Sequence, residues 1–240
     1  MQTDHRLTAI IWDYDNTLVD TRMKNFNVTR EIIEYVTGKN ADDFPFLSSL
    51  ESYLRSNSLS PSWRYLYIHE LGLSEEQTDI VGRLWTDYQR NDQTPVSFFP
   101  GIGDVLETLQ DLPHGIVSQN SRESITKALE TAGWMKYFRD ILGYEEVDIR
   151  KQKPYPDGLL SCLEKIGGLQ PGIVISIGDH ETDIQSSINA NAYFAQNNLE
   201  TQVVSIWAAY GSFADYSTWN IQPDYVARKT SDIIDIIRGL

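Results

Sequence analysis

Ile10–Asp20 reads IIWDYDNTLVD, and the fold turns on how this stretch is interpreted. Ile10, Ile11 and Trp12 form a short apolar, β-prone run, the pattern of a strand buried on both faces. The run then breaks into Asp13, Asp15, Asn16 and Thr17. Two carboxylates one residue apart at the end of a buried strand are costly, because ionised carboxylates there repel and lose hydration. A cation normally offsets such a pair, and the carboxyl ends of strands in an open α/β sheet are where ligands bind. The competing reading is an acidic strand-to-turn junction with Asp and Asn as turn formers. The flanking chain has to discriminate.

Beyond Asp20 the pattern becomes helical and stays so to about residue 95. Phe26, Ile32, Ile33 and Val36 recur at helical spacing. Ser60-Pro61 reads as an N-cap with proline in the first turn, and Ser74-Glu75-Glu76-Gln77 as a capping box ahead of Ile80, Val81, Leu84, Trp85 and Tyr88. Residues 21–95 are therefore expected to form a helical module inserted into a core made of residues 1–20 and 96–240.

From Phe98 strands and helices alternate. Phe99-Pro100-Gly101 breaks the chain before a helix through Val105, Leu106 and Leu109, and Gly115–Val117 is a strand ending at Ser118. Ser121 is an N-cap for a helix closing at Gly133, Ile141-Leu142 is a short strand, and Asp157 caps a helix that stops at Gly167-Gly168. Gly172–Ile177 is the second strong buried strand and also ends on acid, in Gly178-Asp179-His180-Glu181-Thr182-Asp183. A helix toward Phe194, a strand Val203–Ala209 and a helix near Asp232–Ile237 complete the chain. The segment Asn189–Gln202 is longer than such a connection needs and reads as an extended helix and loop at the sheet edge. Strand–helix alternation predicts an α/β fold, a doubly wound parallel sheet with helices on both faces.

At 240 residues the chain can bury a sizeable core. Its net charge of −14, from 20 basic and 34 acidic residues, argues against a nucleic-acid or anionic-membrane surface. Neither a signal-peptide pattern in MQTDHRLT nor a long apolar run is evident. Cys162, the single cysteine, has no partner for an intramolecular disulfide and fits a small core residue. These features predict a cytoplasmic protein, with a monomer as the default and a dimer open.

Three strands thus end in complementary groups: Asp13 and Asp15, then Ser118, then Asp179 and Asp183. Parallel strands point their carboxyl ends the same way, so these groups can share one crevice. Converging carboxylates suit Mg²⁺, a hard oxygen-seeking ion. A carboxylate can also attack phosphorus. Asp13 fits that role, Asp15 could move protons, and Ser118 could offer its hydroxyl and nearby amides to a phosphate. A cationic residue is available in Lys153 of KQKPYPD, with Lys151 as its competitor.

Asp13–Asp20, Ser118, Lys153–Asp157 and Gly178–Asp183 together resemble the four ordered motifs of the haloacid dehalogenase-like superfamily. The inserted helices resemble its cap of the phosphoglycolate phosphatase and β-phosphoglucomutase type. The resemblance implies a Rossmann-like core and a Mg²⁺-dependent phosphatase that hydrolyses a small phosphorylated metabolite through an aspartyl-phosphate. On that basis Asp13 is the nucleophile and a Mg²⁺ ligand. Asp15 is the general acid/base and lends its backbone carbonyl to the metal. Thr17 supports the loop or caps the turn, and Ser118 and Lys153 hold the phosphoryl group. Asp179 binds Mg²⁺ directly, and Asp183 directly or through water. Gln119 stands where many relatives carry asparagine and contributes a backbone amide to the phosphate. Nothing in the motif requires the His180 imidazole.

A phosphotransferase such as a sugar phosphomutase is the nearest alternative, and a non-catalytic regulatory protein is one of a different class. Carbon–halogen hydrolysis fits poorly with Asp15 and Asp179 both present. Phosphonate hydrolysis would need a cap lysine, and Lys24 and Lys39 sit in no recognisable context for it.

Overall fold

The computed structural model describes residues 6–60, 62–212, 214 and 216–240. The readings made on the first five residues and on Pro61 lie outside them. The described chain divides into two compact units, one built from residues up to Val19 with Phe98–Ser212 and Tyr216–Leu240, the other from Asp20–Ser97 with residue 214.

The first unit opens with β1 (Leu7–Trp12), and β2 (Val19–Asp20) spans the point where the chain leaves it. Strand β1 alternates by side: Ala9 and Ile11 enter one apolar cluster, Ile10 and Trp12 another. A central strand covered on both faces needs this continuous apolar run.

The second unit holds α1 (Arg22–Thr37), α2 (Leu50–Leu59), α3 (Trp63–His69) and α4 (Glu75–Asn91). Its own core joins Val28, Ile32, Ile33, Leu47, Leu66 and Val81. Helix α4 starts with the expected capping box, in which Ser74 accepts from Gln77 N–H and the Gln77 side chain accepts from Ser74 N–H. Ser60 is not an N-cap. It closes α2, its hydroxyl donating to the Ser56 carbonyl, and the N-cap of α3 is Ser62, which accepts from Tyr65 N–H.

The chain returns through β3 (Ser97–Phe98), which pairs with β2, and continues with α5 (Ile102–Thr108), β4 (His114–Val117), α6 (Arg122–Thr131) and β5 (Phe138–Leu142). Ser121 caps α6 by accepting from Ser124 N–H, and Gly133 follows its end with φ 71°. Then come α7 (Asp157–Ile166), β6 (Gly172–Gly178), α8 (Glu181–Gln196), β7 (Thr201–Ala208), β8 (Tyr225–Ala227) and α9 (Asp232–Arg238). Asp157 is the first residue of α7 rather than its cap, a position where a carboxylate is favoured by the helix dipole.

The main sheet has the order β5-β4-β1-β6-β7-β8, with every pairing parallel. One face is covered by residues of α5, α6 and α9, the other by residues of α7 and α8. The expected doubly wound α/β architecture is therefore present. The segment Asn189–Gln202 does not lie at the edge. It comprises the last turns of α8, a turn through Asn198 at φ 55°, and the start of β7, whose outer neighbour is β8. Asn191 fixes this return by donating to the Val203 carbonyl and accepting from Val203 N–H.

Cys162 is fully buried on α7, and its thiol donates to the Ile116 carbonyl. Among the described residues no helix is long and apolar enough to cross a membrane.

Candidate active site

Strands β4, β1 and β6 are neighbours, and the direction of chain progression across the sheet reverses between β1 and β6. Such a switch point opens a crevice at the carboxyl ends of the strands. Asp13 follows β1, Ser118 follows β4 and Asp179 follows β6, so backbone topology alone delivers the three loops to one place.

Lys153 sits at the centre of the cluster. Its ammonium lies 2.6 Å from Asp13 Oδ1 and 2.6 Å from Asp183 Oδ1, with all three side chains nearly buried. Burial alone would lower the Lys153 pKa, yet the two carboxylates together hold it above its usual value and keep it charged. Lys151, the competitor, is exposed and pairs with Asp157 at 3.3 Å.

The acids remain in excess of that one cation. Asp13, Asp179 and Asp183 each present an oxygen within 4.8 Å of the others. Burial pushes Asp13 up to about 7 against the pull of Lys153, and Asp183 and Asp15 add to the rise. Asp179 is held well above the usual carboxylate range by burial and then by Asp13, Asp183 and Asp15. A site of buried, mutually repelling oxygens with no His or Cys donor fits a hard divalent cation.

Asp183 is aimed by local structure. Its Oδ2 accepts from His180 N–H at 3.1 Å, completing a capping box at the start of α8. The carboxylate packs so closely on the end of β6 that a Cβ at Gly178 would lie 2.2 Å from Asp183 Cγ. Only glycine leaves that space.

Asp15 faces β4. Its Oδ1 accepts from Asn120 Nδ2 at 3.0 Å, and its Oδ2 from the Ser118 hydroxyl at 3.4 Å. The turn that carries Asp15 is tied by the Tyr14 carbonyl, which accepts from Leu18 N–H and Val19 N–H, and it places Asn16 at φ 57°. Thr17 is wholly buried, and its hydroxyl has no hydrogen-bond partner among the described residues.

The family model described as haloacid dehalogenase-like hydrolase matches residues 10–196, which span all of these acids together with Ser118 and Lys153. The chain belongs to the haloacid dehalogenase-like hydrolase family.

Among similar family proteins, a Listeria monocytogenes protein named pyrophosphatase PpaX is 24% identical over 97% of both chains. An Escherichia coli protein named phosphoglycolate phosphatase is 29% identical over 67% of this chain and 60% of its own length. A Lactobacillus plantarum structure, provisionally named phosphoglycolate phosphatase, superposes with a TM-score of 0.74 at 22% identity, covering 95% of this chain and 98% of that one. At that identity the likeness shows the fold of haloacid dehalogenase-like hydrolases.

Within this hydrolase frame, the crevice brings together Asp13, Asp15, Ser118, Lys153, Asp179 and Asp183. The Gln119 side-chain amide donates to Gln152 Oε1 at 3.4 Å. His180 caps α8 with its ring, Nδ1 accepting from Thr182 N–H at 3.3 Å. Sequence reasoning missed Asn120, which is buried and holds Asp15 while its own Oδ1 accepts from Ser121 N–H at 2.7 Å. Its position two residues past Ser118, ahead of a helix cap, was the available signal.

Proposed function

We propose that this hydrolase is a Mg²⁺-dependent phosphatase acting on a small phosphorylated metabolite, with Asp13 as nucleophile. The observation that carries the proposal is Lys153 bridging Asp13 and Asp183 beside Asp179, while Asp15 stands apart, held by Asn120 and Ser118. The carboxylates are thereby divided between a charge-compensated cluster and a separate proton carrier.

Asp13, Asp179 and Asp183 would hold Mg²⁺ through their carboxylates and Asp15 through its backbone carbonyl. When bound, the ion supplies the positive charge that lets an anionic phosphate approach Asp13. Lys153 draws the phosphoryl oxygens in and orients Asp13. An Asp13 oxygen attacks phosphorus, the bond to the leaving oxygen breaks, and Asp15 gives that oxygen a proton. Water then attacks the aspartyl-phosphate and surrenders a proton to Asp15. The bond to Asp13 breaks, releasing inorganic phosphate and restoring the carboxylate. Ser118, Thr17 and the Gln119 backbone amide line the phosphoryl pocket in this reading.

The helical unit, residues 21–95 in our assignment, serves as the cap that selects the substrate. The names of the two curated relatives favour hydrolysis over transfer to a sugar, and they put pyrophosphate and phosphoglycolate on the panel of compounds to assay. A monomer in the cytoplasm is the setting we assign, consistent with a single buried thiol.

The deciding experiment measures p-nitrophenyl phosphate turnover with Mg²⁺ for the wild type and Asp13→Asn. Turnover should drop by at least about a thousandfold, the scale of losing a covalent nucleophile. Full activity in the variant overturns the mechanism.

A further inference from the structure

The two acid-bearing loops after β1 and β6 are both hydrogen-bonded to a third element that contributes no acid. Trp207, the penultimate residue of β7, donates its indole N–H to the Asp179 carbonyl at 2.9 Å. Tyr210, just past the end of β7, donates its hydroxyl to the Thr17 carbonyl at 2.8 Å. The spacing of the two donors is itself fixed, since Ala209 N–H bonds the Trp207 carbonyl and Gly211 N–H bonds the Ala208 carbonyl.

Neither donor is free to swing. The Trp207 ring packs against Tyr216 at 4.8 Å and Trp219 at 5.4 Å, and the Tyr210 ring meets Phe99 edge-on at 5.2 Å. The backbone beyond Tyr210 presses on the turn itself, since a Cβ at Gly211 would fall 1.6 Å from the Asn16 carbonyl oxygen. Burial, with Asp179 and Asp13 nearby, raises the Tyr210 pKa and holds its hydroxyl in the donating form.

We propose that Trp207 and Tyr210 are positioning residues that together set the separation between the nucleophile loop and the metal loop. Trp207 fixes the carbonyl of Asp179 and through it the direction of that carboxylate. Tyr210 fixes the turn that carries Asp15 and Thr17. Groups of this kind orient ligands without touching the ion, and their loss lowers metal affinity or turnover by about 10–100-fold. The proposal rests on the phosphatase reading for its turnover effects but not for its metal effects.

The test titrates the full chain with Mg²⁺ alone by calorimetry and measures kcat and KM on p-nitrophenyl phosphate, for the wild type, Trp207→Phe and Tyr210→Phe. Trp207→Phe should weaken Mg²⁺ binding by about tenfold or more. Tyr210→Phe, which removes a single oxygen, should lower kcat at saturating Mg²⁺ by about fivefold or more with KM unchanged. Wild-type values in both variants overturn the proposal, as does a fall in melting temperature with kcat and Mg²⁺ affinity declining in parallel. If Trp207→Phe does not fold, the kcat-against-KM split in Tyr210→Phe decides alone. A wild type that binds Mg²⁺ but turns over no phosphomonoester overturns the phosphatase reading, and the calorimetric effect of Trp207→Phe still decides the Trp207 assignment.

Discussion

The indole N–H of Trp12 donates to Nδ1 of His114 at 2.9 Å, joining the last residue of β1 to the first of β4 beneath the acidic loops. An indole can only donate, so Nδ1 must be the accepting nitrogen and the proton sits on Nε2. Nε2 lies 2.9 Å from the Leu109 carbonyl and donates to it. The neutral imidazole thus satisfies both neighbours, and a second proton would break the bond to Trp12.

This pairing predicts an acid-sensitive contribution to stability. Burial first, and then Arg139, lowers the His114 pKa below its usual 6.5 despite the bond to Leu109. Below about pH 6.5 the unfolded chain therefore takes a proton that the native state refuses, and stability falls as pH falls. His114→Phe should cost about 1–3 kcal/mol at about pH 8, from the stranded Trp12 and Leu109 groups. The gap to wild type should narrow in urea melts at about pH 5.5. A gap that stays constant with pH contradicts the assignment.

The two lysines of KQKPYPD should behave very differently. Lys153→Met strands Asp13 and Asp183 as buried neighbouring charges, and loss of one partner of a buried pair costs about 3–5 kcal/mol. Lys151→Met breaks only an exposed contact with Asp157 and should stay within about 0.5 kcal/mol of wild type. Chemical denaturation of both variants without added metal measures the contrast.

Asn120→Ala should separate turnover from binding. It removes the amide that holds Asp15 Oδ1 and leaves Ser121 N–H without its acceptor, for a stability loss of about 1–2 kcal/mol. With the amide's hold on Asp15 Oδ1 removed, kcat should fall by about tenfold or more while KM changes little. Steady-state kinetics on p-nitrophenyl phosphate provides the check, and an unchanged kcat would mean that Asp15 needs no such support.

In the helical unit, Ser74→Ala removes the acceptor for Gln77 N–H and dismantles the capping box of α4. The expected cost is about 1 kcal/mol. Ser60→Ala should cost less, because Ser60 caps no helix N-terminus. Thermal melts of the two variants rank the sites.

The central sheet was legible in the sequence because strands covered on both faces need unbroken apolar runs, as in Ile10–Trp12 and Gly172–Ile177. Strands β2, β3 and β8 have two or three residues each and leave no periodicity to read. Asp13, Asp15, Asp179 and Asp183 were legible because acids at the ends of buried strands have no cheap structural explanation. Asn120 escaped notice because an asparagine before a helix cap looks like an ordinary turn former. Trp207 reads as apolar strand content and Tyr210 falls just past the expected strand, and only three-dimensional contact reveals that each donates to an acidic loop. His180 carried a helix cap on its ring nitrogen, which no residue pattern distinguishes from a surface imidazole.

Cys162 lies sealed between α7 and the sheet, so close to β4 that a Cβ at Gly115 would sit 2.4 Å from its sulfur. Burial, reinforced by Asp140, pushes its thiol up to about 12, so essentially no thiolate forms at neutral pH. Maleimides should therefore pass over Cys162 in the native protein. A cysteine introduced on the outer surface of α2 or α4 would be the one thiol to react. The wild-type chain is thus ready for site-specific fluorophore or spin labelling, with no native thiol to remove first.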